Sequence, residues 1–328
     1  MSYGRIQGHL SRGEMVLLDG GVGTEIYRRG VYWRSNGIER NPEVVRQVHA
    51  DYIAAGADVI TTNTFQLTRR SYLNLFHDIE HMRHIGPEGL ENKAEMLVRR
   101  AVELAREARE QFRSATAGEV AIAGSISPLQ HCFRPQLAPP NDELRTEHGE
   151  TIQQLKESGV DFLLLETMNN IREAVVASDV ARTSNLPFWV SFAVREGGKL
   201  LSRESVAGAA KAVEPYGPEA ILVNCGPIED ITLALSELAG ATRRPIGCYA
   251  HIGRYHPPSW KHAFFPRFAE TDQVPPEKYL TAAGQWAAMG AQIIGGCCGT
   301  TPAHIQALKV GLPKSCPPRQ ASRSVGAR

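Results

Sequence analysis

The sequence predicts an α/β protein, a (β/α)8 TIM barrel built as a single domain. Eight short apolar runs alternate with helical patterns along 328 residues, which is the length of one large barrel. The runs are continuous rather than alternating, as expected for parallel strands that are buried on both faces. An open, doubly wound sheet would show the same alternation of strand and helix, so it stays as the alternative fold.

The predicted elements follow one another in strand and helix order. The strands cover residues 15–21, 57–65, 120–128, 161–168, 188–194, 220–226, 245–253 and 291–298. Helical patterns occupy residues 41–56, 91–112, 169–183, 205–217, 229–240, 275–290 and 301–311. Asn41 and Thr301 are each followed by proline, which is typical of an N-cap and a first helical turn. The long connections 66–90 and 254–274 are expected on the catalytic face of a barrel.

Composition excludes several classes of protein. Hydrophobic residues make up 42% of the chain and charged residues 22%, with a formal net charge of +1, so nucleic acid is not an expected partner. No apolar run reaches the roughly 20 residues of a membrane span, and the N-terminus lacks the apolar core of a signal peptide. We therefore expect a cytoplasmic protein without membrane contact. The barrel is expected over residues 1–314 and a disordered tail over 315–328, whereas the sequence leaves a homo-oligomer open.

The strongest chemical signal is the segment GGCCGT at residues 295–300, where the eighth strand ends. Neighbouring side chains on a strand point to opposite faces, so two adjacent cysteines converge only if the backbone leaves regular strand geometry. The flanking glycines permit that departure. Cys297 and Cys298 are therefore candidate metal ligands. The alternative is a pair of small buried cysteines that fill a tight turn.

A third ligand is predicted at Cys225, where the sixth strand ends, although a buried structural cysteine is the alternative there. Three protein ligands with one open position are typical of catalytic zinc. Three thiolates make the metal soft and a poor acid toward water, which suits a sulfur ligand in the fourth position. The ligand set therefore favours alkyl transfer to a thiol over hydrolysis.

The motifs DGG, GADVITTNTFQ, AGSISP, LLLET, VNCGP and GGCCGTTPAHI occur in this order, and together they resemble the homocysteine S-methyltransferase family. The resemblance covers roughly residues 14–312 and rests most specifically on the combination of NC with GGCC. It implies a TIM barrel with zinc on Cys225, Cys297 and Cys298. It also implies methyl transfer from a sulfonium or quaternary ammonium donor to homocysteine, which gives methionine.

The resemblance extends to residues that bind the acceptor. It places Asp19, Gly20 and Gly21 beside homocysteine, and it assigns Glu166 to the amino group. A carboxylate at a strand end can pair with an ammonium, although Glu166 could instead cap the next helix or pair with Arg172. Asp19 could equally bond its own backbone in a turn. Weaker candidates for polar contacts at strand ends are Asn63, Thr64 and Ser125.

The segment after the seventh strand departs from the family. Many relatives that use S-methylmethionine carry Tyr-Pro-Asn-Ser-Gly there, whereas this chain has Tyr-Ala-His-Ile-Gly at residues 249–253. His251 could touch the substrate, occupy the open position on zinc or serve as a structural histidine, and the sequence leaves the identity of the donor open. Cys248 is expected in the core. Aromatic faces could stabilise a cationic donor, and the candidates on loops are Tyr32, Trp33, Tyr255, Trp260, Phe264 and Phe265.

Two further motifs match other classes of protein only in part, and two other functions stay open. Residues 77–81 match the H-x-x-E-H pattern of some zinc proteases, but they lie in a polar connector where a solvated loop or turn is expected. Gly21 and Gly23 resemble part of a dinucleotide fingerprint, but Ile26 stands where its third glycine belongs. The alternatives to the methyltransferase are a zinc hydrolase or lyase on the same barrel, and a thiol-binding module that depends on a cobalamin partner.

Overall fold

The computed structural model describes residues 2–31, 37–73, 81, 88–113, 120–256, 267–269 and 274–317. Eight parallel strands form a barrel, and helices surround it. In chain order the strands are β1 Val16–Leu17, β2 Val59–Thr61, β3 Ala121–Ile126, β4 Phe162–Met168, β5 Phe188–Arg195, β6 Lys199–Leu200, β7 Ala220–Asn224, β8 Ile246–Tyr249, β9 Arg254–His256, β10 Arg267–Ala269 and β11 Ala291–Ile294. Strand β6 pairs with β5, and β9 and β10 form a separate antiparallel pair, so these three lie outside the barrel.

The barrel closes on itself. Its strands follow the order β1-β11-β8-β7-β5-β4-β3-β2, and the two ends of this series meet where Leu18 forms a parallel bridge with Val59. The backbone N–H of Asp19 donates to the carbonyl of Val59 over 3.0 Å at the same seam. The predicted TIM barrel is confirmed, and the open doubly wound sheet is excluded because its edge strands would not pair.

Eleven helices are described. They are α1 Ser2–Ser11, α2 Val22–Arg28, α3 Pro42–Ala54, α4 Arg69–Leu73, α5 Lys93–Gln111, α6 Asn141–Ser158, α7 Ile171–Thr183, α8 Val206–Val213, α9 Ile228–Ala241, α10 Pro276–Ala288 and α11 Pro302–Gly311. All seven predicted helices are present. Asn41 and Thr301 precede the first turns of α3 and α11, and the Thr301 side chain forms a capping box with His304. Sequence analysis missed α1, α2, α4 and α6.

The core has two layers, which explains the continuous apolar runs. Along β4, Phe162 and Leu164 point into the barrel, whereas Leu163 and Leu165 belong to the larger layer between the barrel and its helices. All four side chains are buried. Both faces of each strand are therefore removed from water, and burial of this apolar surface is the main stabilising term for the fold.

Helix α1 closes the amino-terminal end of the barrel. The Tyr3 ring packs against Phe162 with ring centroids 4.8 Å apart, and its hydroxyl accepts a hydrogen bond from Trp189 Nε1 over 2.9 Å. The same hydroxyl donates to Glu219 Oε2 over 2.6 Å. Phe162, Trp189 and Glu219 lie at or just before the starts of three strands. The helix therefore seals the end of the barrel opposite the strand termini that carry the predicted site.

The C-terminal segment returns to the barrel. Ser315 bridges to Glu14, and the backbone N–H of Cys316 donates to the carbonyl of Gly13 over 2.9 Å. Residues 318–328 of the predicted tail lie outside the described residues. Across the helices that the structure describes, none has the length and apolar character to pass through a membrane.

Candidate active site

Three cysteines meet at the carboxyl-terminal end of the barrel. Cys225 follows β7, and Cys297 and Cys298 follow β11, so the strand between them is β8. The Cys298 sulfur lies 4.0 Å from the sulfurs of both Cys225 and Cys297, and all three sulfurs are within 4.8 Å of one another. Tetrahedral ligands about 2.3 Å from a zinc ion are about 3.8 Å apart, so this donor set fits a zinc ion.

The adjacent cysteines converge because the backbone leaves the strand at the glycines. A Cβ atom on Gly296 would lie 2.1 Å from Thr300 Oγ1, so only glycine fits there. The turn is fixed on both sides, since the N–H of Cys297 donates to the carbonyl of Ala250 over 2.9 Å and the carbonyl of Cys298 accepts from Ile252 N–H over 3.0 Å. The glycine-framed turn predicted from the sequence is therefore present.

The third cysteine has an unusual backbone. Cys225 has a φ of 50°, in the left-handed region that non-glycine residues rarely adopt. Its N–H donates to the carbonyl of Tyr249 on the neighbouring strand over 3.2 Å. The next residue is Gly226, where a Cβ atom would lie 2.5 Å from the carbonyl oxygen of Val194. These contacts aim the Cys225 thiol across the barrel mouth toward Cys298.

The three thiols share charge among themselves. Hydrogen bonds from Cys225 and Cys297 lower the pKa of the Cys298 thiol. Hydrogen bonds to Cys297 and Cys298, together with burial, raise the pKa of Cys225 well above its ordinary value. The cluster therefore favours a thiolate at Cys298. Binding of a divalent cation would displace thiol protons from the cluster, which couples metal binding to pH.

Glu166, near the end of β4, lies in the same mouth. Burial raises the pKa of its carboxyl to about 7, and the charge of Cys297 acts in the same direction, whereas hydrogen bonding from Ser125 opposes them. The Ser125 hydroxyl donates to Glu166 Oε1 in a short hydrogen bond. Arg172, the alternative partner weighed from the sequence, instead donates to the carbonyls of Pro139 and Ala138. Glu166 is therefore placed beside the cysteines and not in a pair with that arginine.

Asp19 follows the first strand, on the other side of the mouth. Its carboxylate accepts hydrogen bonds from the Thr61 N–H over 2.7 Å and from the Thr61 hydroxyl over 2.9 Å. Burial raises the pKa of this carboxyl to about 8, and the charge of Glu166 contributes to the rise. A Cβ atom on Gly20 would lie 2.7 Å from the Tyr52 ring, and one on Gly21 would lie 2.6 Å from the carbonyl oxygen of Cys297. The DGG segment therefore packs directly against the cysteine turn.

The weaker candidates form a buried polar shelf between β2 and β3. The Thr64 hydroxyl donates to the carbonyl of Ser125 over 2.8 Å and also bonds the Thr62 hydroxyl. Thr62 Oγ1 in turn accepts from the Ser125 N–H over 3.0 Å. Asn63 is buried beside them. These hydrogen bonds hold the Ser125 hydroxyl in position under Glu166.

His251 lies on the cysteine side of the mouth. Its backbone N–H donates to the carbonyl of Gly226 over 3.1 Å, and its ring is buried. Burial lowers the pKa of the imidazole, while the negative charge of Cys297 opposes that shift. Cys248, two residues before Ala250, is fully buried in the outer core layer, as the sequence analysis expected.

Two residues that sequence analysis missed support this site. The Asn224 side chain, directly before Cys225, bonds both the N–H and the hydroxyl of Thr167, directly after Glu166. The asparagine in the VNCGP motif was the signal that could have identified Asn224.

Of the loop aromatics proposed for a cationic donor, Tyr255 lies on β9, and Tyr32, Trp33, Trp260, Phe264 and Phe265 lie outside the described residues. So do residues 77–80 of the protease-like motif, whereas His81 is described within a helical turn.

Comparison with known proteins finds relatives that match over nearly the whole chain. Homocysteine S-methyltransferase of Escherichia coli (strain K12) is 29% identical over 319 residues, which are 92% of this chain and 96% of that relative. Homocysteine S-methyltransferase YbgG of Bacillus subtilis (strain 168) is 30% identical over 320 residues, with 92% and 95% covered. Selenocysteine methyltransferase of Astragalus bisulcatus is 28% identical over 331 residues, with 90% and 92% covered.

A solved structure shares the whole fold. The metallated form of the homocysteine methyltransferase MmuM from Escherichia coli superposes with a TM-score of 0.74 at 28% identity, covering 93% of this chain and 98% of that one. The sequence profile of the homocysteine S-methyltransferase family matches residues 16–311, from the first barrel strand to the last helix. The chain therefore belongs to the homocysteine S-methyltransferase family.

Proposed function

We propose that the protein is a zinc-dependent S-methyltransferase that moves a methyl group from a sulfonium or quaternary ammonium donor to homocysteine, which gives methionine. The observation that carries the proposal is the convergence of the Cys225, Cys297 and Cys298 sulfurs within 4.8 Å of one another at the barrel mouth that also holds Glu166. Membership of the family supports the transferred group and the acceptor.

Three cysteine thiolates would hold the zinc ion and leave its fourth position open. When bound, the ion would supply a low pKa for the acceptor thiol, so that the sulfur is a thiolate at neutral pH. A relative described as metallated supports a resident metal in this fold. The thiolate ligand set favours zinc over harder cations, which bind oxygen ligands.

The chain itself orients the acceptor. Glu166 would pair with the ammonium group of homocysteine, and its carboxylate is pre-positioned by the Ser125 hydroxyl. Asp19 and the backbone of Gly20 and Gly21 would line the opposite side, because the DGG segment packs against the cysteine turn. Asn63, Thr64 and His251 are the remaining proposed contacts at the mouth. Positioning of this kind lowers the entropic cost of bringing the two reactants together.

The methyl transfer would be a single in-line displacement. The acceptor sulfur uses one electron pair to form a bond to the methyl carbon, while the bond from that carbon to the donor sulfur or nitrogen breaks. The bonding pair stays with the donor, which leaves as a neutral sulfide or tertiary amine. No covalent intermediate with the protein forms, and no residue exchanges a proton during the displacement.

A second acceptor class is favoured by one comparison. Selenocysteine methyltransferases of Astragalus bisulcatus and of Brassica oleracea var. italica are 28% and 27% identical to this chain. A selenol is a softer and more acidic analogue of a thiol, so the same cysteine-lined site would suit it. Selenol amino acids therefore belong in the test beside homocysteine.

The test combines metal content with turnover. The reduced protein is purified, its zinc is measured by mass spectrometry, and methionine formation is followed with S-methylmethionine, S-adenosylmethionine and betaine as donors. We expect one zinc per chain and product from one donor. Cys316→Ser is the matched control, because the Cys316 thiol donates to the carbonyl of Ala291 and lies outside the cluster.

Each other outcome points elsewhere. Zinc without product from any free donor would replace the proposal with a module that depends on a cobalamin partner. Product without zinc in the fully reduced protein would refute the three-cysteine site. Hydrolysis of the donor in place of transfer would favour the metallohydrolase alternative.

A further inference from the structure

One buried amide joins the two halves of the site. Asn224 Oδ1 accepts a hydrogen bond from the Thr167 N–H over 3.2 Å, and Asn224 Nδ2 donates to Thr167 Oγ1 over 2.8 Å. The Ser191 hydroxyl, on the strand between them, donates to Asn224 Oδ1 over 2.9 Å. Asn224 and Ser191 are 0% exposed and Thr167 is 2% exposed. The amide therefore spans the inside of the barrel from β7, across β5, to β4.

The backbone is strained at Thr167, which is one end of this bridge, and at Cys225, which directly follows the other end. Thr167 has a φ of 61° and Cys225 a φ of 50°. A β-branched residue is a genuine outlier in this left-handed region, and such strain persists only where surrounding contacts hold it. Thr167 directly follows Glu166, and Cys225 directly follows Asn224. One strained position thus adjoins the carboxylate, and the other is itself a proposed metal ligand.

We propose that Asn224 is a positioning residue that ties the Cys225 ligand to the Glu166 carboxylate and so sets the length of the aminothiol that the site accepts. Thr167 makes both hydrogen bonds while its backbone is in the left-handed conformation, and the direction of the chain at this residue fixes where the neighbouring Glu166 lies. The same side chain fixes the strand end from which Cys225 turns into the mouth. The metal-binding part of this inference rests only on the proposed three-cysteine zinc site, whereas the acceptor part rests also on homocysteine as the proposed acceptor.

The coupling has a consequence for specificity. The acceptor sulfur would bind the zinc ion held by the cysteines, and its ammonium group would pair with Glu166. The acceptor must therefore span the fixed distance between the metal and that carboxylate. Homocysteine has one more methylene group than cysteine, so a rigid bridge discriminates between them. If the bridge is removed, Glu166 and Cys225 move independently and the preference for one chain length falls.

The test uses Asn224→Ala with Asn170→Ala as the matched control. Asn170 is also a buried asparagine, and its Oδ1 caps α7 by accepting from the Glu173 N–H, away from Cys225. Zinc affinity of the metal-free protein is measured by competition with a chromophoric chelator, and binding of homocysteine and cysteine to the zinc-loaded protein by calorimetry. We expect Asn224→Ala to weaken zinc binding by about 10- to 100-fold, as outer partners of metal ligands do. We also expect it to lower the preference for homocysteine over cysteine about tenfold or more, while Asn170→Ala changes neither.

A second variant separates the two ends of the bridge. Glycine adopts the left-handed region without strain, so adding Thr167→Gly to Asn224→Ala should restore part of the homocysteine affinity but none of the zinc affinity. If Asn224→Ala does not fold, Thr167→Val removes the Oγ1 acceptor with little change of shape and should shift both affinities in the same direction.

Unchanged zinc affinity in Asn224→Ala, or equal losses in Asn170→Ala, would overturn the coupling. A wild-type protein that binds zinc but not homocysteine would refute the proposed function and the acceptor part, while a weakened zinc affinity in Asn224→Ala would still support the metal part.

Discussion

Removing the charge of Glu166 tests the orientation of the acceptor. Glu166→Gln keeps the shape of the side chain and an oxygen that can accept from Ser125, but it removes the negative charge that would face the ammonium group. A hydrogen bond between charged groups contributes about 1.5–3 kcal/mol, which corresponds to about 10- to 150-fold in affinity. Burial removes water from this carboxyl and raises its pKa to about 7.

The assay compares homocysteine with 4-mercaptobutanoate, which has the same thiol and carboxylate but no amino group. We expect the KM for homocysteine to rise by about 10- to 150-fold in Glu166→Gln, and the KM for 4-mercaptobutanoate to stay near its wild-type value. Glu219→Gln is the matched control, because Glu219 bonds Tyr3 at the opposite end of the barrel. An equal rise for both thiols, or none for homocysteine, would refute the assignment of Glu166 to the amino group.

Three further predictions concern the metal, the sealed end of the barrel and acid. Cys298→Ala should abolish stoichiometric zinc binding and turnover, because Cys298 lies 4.0 Å from both other sulfurs; mass spectrometry of the purified variant checks this. Tyr3→Ala should lower the free energy of unfolding by about 3–5 kcal/mol, because a buried ring is lost. Tyr3→Phe should lower it by only about 1–3 kcal/mol, because the ring stays and only the Trp189 N–H loses its acceptor. Urea unfolding measures both. Burial lowers the pKa of His49 from 6.5 to about 4, and neither ring nitrogen has a hydrogen-bond partner among the described residues. The unfolded chain therefore binds a proton at His49 more readily than the folded chain does. We expect the free energy of unfolding to be unaffected by this residue above pH 6.5 and to fall by about 3 kcal/mol as the pH drops to 4. His49→Leu should remove that part of the pH dependence, as measured by urea unfolding of the metal-free protein.

The barrel was predictable because both faces of its strands are buried. Each of the eight continuous apolar runs marks a barrel strand, and β5 extends one residue beyond its run, to Arg195. Several other runs extend past their strands: residues 245–253 were predicted where β8 covers Ile246–Tyr249. The extra residues at the carboxyl ends of these runs include Asp19, Asn63, Cys225, Cys297 and Cys298 of the proposed site. They leave the sheet at glycines and at Cys225, whose left-handed backbone no propensity predicts. Strand ends were therefore overestimated at the points where the site begins.

The missed helices have a different physical reason. The buried face of α6 includes His148 and Thr151 in addition to its apolar residues, so an apolar pattern alone does not reveal it. His148 is buried against Glu173, a pairing that only the folded chain creates. In α1, by contrast, Tyr3, Ile6 and Leu10 stand at helical spacing, and the segment could have been recognised.

The sequence predicted the three cysteines of the site, but it did not predict the hydrogen bonds that hold Cys225 and Glu166 in place. The flanking glycines and the place of Cys225 after a strand identified the three sulfurs, which the structure brings within 4.8 Å of one another. The bridge from Asn224 to Thr167 joins residues 57 positions apart, and it depends on the register of three strands. No local sequence pattern shows that two residues so far apart are in contact, so the bridge could be found only in the folded structure.

Helix α1 gives the barrel one entrance among the described residues. Tyr3 and its partners fill the opposite end, so two substrates and two products must exchange through the same opening. The proposed acceptor site adjoins the cysteines at the strand ends, so a donor that arrives from solution would approach from the open side of the barrel mouth. We therefore expect ordered steady-state kinetics, in which homocysteine binds before the donor and methionine departs last.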